Sequence, residues 1–70
     1  MQLRPTLHAR QRSVERNIPL SYIPKIERVT RPVEIRPGIF RHETKNMGFI
    51  RGGGLVITVY RPKSLPGTVR

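Results

Sequence analysis

The chain contains no cysteine, no tryptophan and no aspartate in its 70 residues. Without cysteine there is neither a disulfide nor a thiolate metal site, and the composition carries no mark of a redox compartment. With aspartate absent, the acidic side chains are Glu15, Glu27, Glu34 and Glu43. Each is isolated and close in sequence to an arginine, which suits local ion pairing better than the paired carboxylates of acid–base catalysis. Histidine is nearly absent too. His8 and His42 lie far apart, and His42-Glu43 lacks the second histidine of a zincin helix. Ser13, Ser21 and Ser64 have no nucleophile-elbow context. The expectation is a protein that is not an enzyme and has no cofactor and no metal. No apolar run approaches the length of a membrane span, and the start of the chain lacks the apolar region of a secretion signal. Neither a span nor secretion is therefore expected.

What is present is positive charge. Eleven arginines and three lysines against four glutamates give a net charge of +10. Such a balance attracts nucleic acid, anionic membranes or acidic proteins. The basic residues recur singly, with no Lys-Lys or Arg-Arg pair, unlike the charge blocks of a disordered polybasic tail. Four of the seven prolines follow an arginine: Arg4-Pro5, Arg31-Pro32, Arg36-Pro37 and Arg61-Pro62. Proline holds the preceding backbone extended, and the guanidinium fork matches carboxylate or phosphate. Codon usage in a GC-rich genome would also raise both residue types together.

A chain this short buries only roughly 60% of the surface its unfolded form exposes, so stability is marginal. With disulfides and metals excluded, a partner is the expected source of the missing stability.

The expected fold is small and mainly β with little regular structure. Residues 1–16 read as a basic arm in which Thr6 caps a short helix over 7–15, with Leu7, Gln11 and Val14 on one face. Residues 17–45 read as an extended Pro/Arg-rich strap, because Pro19, Pro24, Pro32 and Pro37 exclude a long helix. Its 17–38 portion carries many large apolar groups, unlike a Gly/Ser linker. It is expected to be an extended strap lying across another surface. Arg36-Pro37-Gly38-Ile39 fits a type II turn. Residues 46–62 read as a β-hairpin nucleus, with Gly52, Gly53 and Gly54 as the breaker between two apolar runs. Phe49 belongs to the first run. In the second, Leu55, Ile57 and Val59 are expected to share a buried face, by the period of two. Residues 63–70 read as a basic tail.

The candidate partner-binding residues are Tyr22, Ile23, Ile26, Val29, Val33 and Ile35 from the strap, with Arg31, Arg36, Arg41, Arg51 and Arg61. The function expected is that of a structural subunit in a large assembly, with a minor virion protein (capsid cement, head-completion or connector component) as the leading case. The protein would dock by its strap and by strand addition. Its partners would be larger protein subunits of the same assembly, and its place the virion or another macromolecular assembly, intracellular during assembly. It is not expected to persist as a free monomer. The alternative is a small ribosomal or other RNA-associated protein whose dispersed arginines meet phosphates.

Overall fold

The computed structural model describes residues 3–62. The elements run β1 (Arg4–Pro5), α1 (Leu7–Glu15), a 3₁₀ turn (Leu20–Tyr22), α2 (Ile23–Val29), β2 (Val33–Arg36), β3 (Ile39–Glu43), β4 (Gly48–Gly52) and β5 (Leu55–Tyr60). The strands form one mixed sheet in the order β1-β5-β4-β3-β2. The β1–β5 pair is parallel and the other pairs are antiparallel. The protein is mainly β with two short helices, and regular structure is far more extensive than the sequence suggested. The 63–70 tail lies outside the described residues.

Thr6 starts α1 by accepting a hydrogen bond from the Ala9 N–H on its side-chain oxygen, 3.1 Å away. The same hydroxyl lies 3.0 Å from the Val56 carbonyl and 3.1 Å from that of Ile57, so the cap also ties the helix to β5. The far end closes in a Schellman arrangement. The Asn17 N–H donates to the Val14 carbonyl and the Ile18 N–H to that of Ser13, with Asn17 left-handed at φ 55°. That reversal drops Ile18 into the core. The helix faces the opposite way from expectation. Ala9 and Ser13, one turn apart, are buried, while Leu7 and Val14 are 73% and 83% exposed. Small side chains on the inner face allow the helix backbone to lie close to β5.

Residues 17–38 are not an extended strap. Pro19 precedes the 3₁₀ turn, and Pro24 falls in the first turn of α2. There the missing N–H has no intrahelical partner to lose. Proline therefore starts this helix rather than forbidding it. Ile23 and Ile26 point from α2 into the core, so neither is free to bind a partner. The Thr30 hydroxyl donates to the Ile26 carbonyl where α2 ends. The chain then enters β2 and reverses at Pro37-Gly38, with Gly38 at φ 80°.

Gly53, at φ 60°, reverses the chain between β4 and β5, whose closing pair is Gly52 with Leu55. Phe49 pairs with Val59. The register of β5 shifts by one residue, because Ile50 faces Thr58 while Arg51 faces Val56. A bulge of this kind turns two consecutive side chains toward the same side. It therefore brings Val56 and Val59, three residues apart, onto one face. Both are buried, whereas Leu55 and Ile57 are 50% and 36% exposed. The uninterrupted alternation that would bury Leu55 and Ile57 with Val59 is broken at this point.

The core is Ala9, Ile18, Ile23, Ile26, Phe49, Val56 and Val59, with Leu3, Leu20 and Met47 packed against it. It lies between the helices and one face of the sheet, and it draws on the expected arm, strap and hairpin alike.

Candidate docking surface

The sheet has two unlike faces. Cross-strand register assigns Phe40 and His42 of β3, Phe49 and Arg51 of β4, and Val56 and Val59 of β5 to the face beneath the helices. The second face carries Val33 and Arg36 of β2, Ile39 and Arg41 of β3, Ile50 of β4, and Leu55 and Ile57 of β5, while Ile35 is the unpaired residue where the register of β2 shifts. Val33, Ile35, Leu55 and Ile57 are exposed, and Ile39 and Ile50 are half-buried.

Two glycines of β4 shape this open face. A Cβ on Gly52 would lie 2.9 Å from Ile39 Cδ1 and 3.3 Å from Ile57 Cδ1. The two isoleucines, on strands either side of β4, thus approach each other across the glycine. At the other end, a Cβ on Gly48 would lie 2.8 Å from the Tyr60 ring and 2.9 Å from the His42 carbonyl. The Tyr60 hydroxyl crosses there to donate to Glu43 at 2.6 Å. Burial, and then that bond to a carboxylate, hold the Tyr60 phenol well above its ordinary pKa. Arg41 stands beside this pair with its Nε 3.7 Å from Glu43. Glu43 is thereby engaged from two sides, and the face is apolar with a basic margin.

No protein-family model, curated protein or solved structure matches the chain.

Of the residues singled out from sequence, Val33, Arg36, Arg41, Leu55 and Ile57 come together on the open face, while Ile35 is exposed at the register shift of β2. Tyr22 and Val29 are exposed on the helical side, where they line a groove with Lys25 and Met47. Arg31 is exposed in the loop before β2. Arg51 is engaged internally: it donates from Nε to His42 Nε2 at 2.9 Å and lies over the Phe40 ring. Arg61 is a staple, donating to the carbonyls of Arg16 and Asn17. Sequence reasoning missed Ile39, Ile50 and Tyr60 as members of the open face, because only the pairing of distant strands brings them beside β2.

The edge of β2 is guarded against strand addition. Pro32 and Pro37 flank it, charged Glu34 and Arg36 alternate along it, and its register shifts between Glu34 and Arg36. Prolines, charges and bulges are the usual devices that blunt a sheet edge. None of the described helices is long and apolar enough to cross a membrane.

Proposed function

We propose that this protein is a non-enzymatic structural subunit that joins a larger protein assembly through the open face of its sheet. A minor virion component is the kind of assembly in view. The observation that carries the reading is that open face, a sheet surface with exposed Val33, Leu55 and Ile57 and half-buried Ile39 and Ile50 beside Arg36 and Arg41. Contiguous apolar patches with polar rims mark protein interaction sites. The fitting partner presents an apolar patch fringed by carboxylates, which complements a chain of charge +10. A second copy of the same charge fits less well. Docking by a face replaces docking by a strap or by an added strand, since the strap is folded and the β2 edge is guarded.

The charge of +10 also favours RNA. Open sheets that bind RNA stack bases on exposed aromatics. On this face the described aromatic is Tyr60, whose hydroxyl is tied to Glu43.

A photo-crosslinker placed at Ile57, with a control at exposed Val14 on α1, separates the two readings inside the producing cell. The protein-assembly reading expects a discrete protein adduct from position 57 alone, reduced by a second substitution, Val33→Asp. Adducts with nucleic acid, together with release by moderate salt, would instead establish the RNA reading.

A further inference from the structure

Every hydrogen-bonding position of His42 is assigned by its neighbours. The ring is 1% exposed and stacks on Phe49, with centroids 4.8 Å apart and planes 8° from parallel. Its Nδ1 lies 2.9 Å from Thr30 Oγ1. The Thr30 hydroxyl has one proton, and it goes to the Ile26 carbonyl. Thr30 can therefore only accept from His42, which fixes the proton on Nδ1. At the other nitrogen, the Arg51 Nε–H donates to Nε2 at 2.9 Å, so Nε2 must keep its lone pair. The result is one neutral tautomer that links the end of α2, through Thr30, to β3 and β4.

A second proton has nowhere to go. It would sit on Nε2 and point at an Arg51 N–H, setting donor against donor and cation against cation. The Nδ1–H bond to Thr30 would itself survive, so the conflict reaches α2 only by driving the ring from its place against Phe49, which carries Nδ1 away from Thr30. Of the charged groups acting on the ring, Arg51 from β4 opposes protonation and Glu27 from α2 favours it. Arg41 and Glu43, the ring's neighbours along β3, belong to the opposite face of the sheet. Burial acts in the same direction as Arg51 and is the larger effect, so the ring's pKa is held below its ordinary value of 6.5.

We propose that His42 is an acid-sensitive latch, which holds the C-terminal end of α2 on the sheet while neutral and releases it when protonated. Release separates Thr30 from β3 and opens the groove between α2 and the Thr44–Met47 turn. The direction follows from linkage. The unfolded chain takes up this proton more readily than the folded one, so the latch contributes fully above pH 6.5 and progressively less as pH falls below it.

The test is a pH titration of the His42 ring by NMR on the full chain. Its midpoint is expected below the ordinary histidine value of 6.5. In Arg51→Gln the midpoint should rise, because the opposing cation is gone. Amide exchange, corrected for intrinsic rates, should show Ile26–Val29 losing protection between pH 7.5 and 5.0 while Phe49 and Val59 keep theirs. In His42→Phe, which retains an aromatic ring against Phe49, that selective loss should vanish. A His42 midpoint at or above 6.5, or an acid loss at α2 that persists in His42→Phe, would overturn the proposal. If His42→Phe does not fold, the Arg51→Gln titration decides, and an unchanged His42 midpoint overturns it.

Discussion

The covered and open faces of the sheet are built from the same strands and from similar branched aliphatic residues, yet only one is a core. Phe49, Val56 and Val59 are at most 1% exposed beneath the helices, while Val33, Leu55 and Ile57 are exposed. Hydrophobicity does not separate the two sets. What separates them is what can approach. Ala9 and Ser13 leave room for α1 to lie close to β5, and the bulge in β5 turns both Val56 and Val59 toward it. On the open side, Gly48 and Gly52 leave space along β4 that side chains from β3 and β5 cross. The helices complete one surface, and the other is left for something outside the chain.

The sharpest way to break this contrast is to empty the covered face. Phe49→Ala should cost about 3–5 kcal/mol, comparable with the whole stability of a small domain, about 5 kcal/mol or more. Urea titration followed by circular dichroism should show no cooperative transition. Crowding the helix contact is the next step down. Ser13→Leu should destabilise by about 1–3 kcal/mol through overpacking between α1 and β5, seen as a lower urea midpoint. Asn17→Ala should cost about 1 kcal/mol, because a Cβ-bearing residue without asparagine's local hydrogen bonding resists the left-handed region. Asn17→Gly should be nearly neutral, and comparing the two midpoints checks that backbone geometry is the cause. The smallest effect on stability belongs to the open face. Ile57→Asp should leave the free protein within about 0.5 kcal/mol of the wild type, yet abolish the adduct that photo-crosslinking at Leu55 gives. A collapse of the free fold in Ile57→Asp would mean that this face is already covered.

Parts of this contrast were legible in the sequence. Thr6 before Leu7–Glu15 marked α1, because capping is local chemistry. Pro37-Gly38 marked a reversal for the same reason. Apolar residues on both sides of Leu55–Tyr60 showed that neither face of β5 is purely polar. The rest depends on partners distant in sequence. The β5 bulge follows from pairing with β4, and β1 is a strand only because Gly54 and Val56 offer it carbonyls. Pro24 misled because proline is hostile inside a helix and welcome in its first turn, and sequence alone left open where that turn begins. Among the site residues, the aliphatics of β2 and β5 could be found as apolar positions, whereas their convergence with Ile39 and Ile50 required the sheet.

The closure of β1 on β5 also orders events in time. The Thr6 hydroxyl meets the Val56 carbonyl across 50 residues of chain, whereas β2 to β5 join neighbours through short turns. Long loops close slowly because their entropy is lost before any contact repays it. The four-strand meander should therefore assemble first and the β1–α1 segment dock last. Thr6→Ala should then speed unfolding and leave the folding rate nearly unchanged. A stopped-flow chevron showing mainly slowed folding would reverse that order. Until α1 returns, Val56 and Val59 have no cover, so a refolding chain passes through an interval in which both sides of its sheet can adhere to other copies. A longer interval should therefore raise aggregation during folding even where native stability is unchanged.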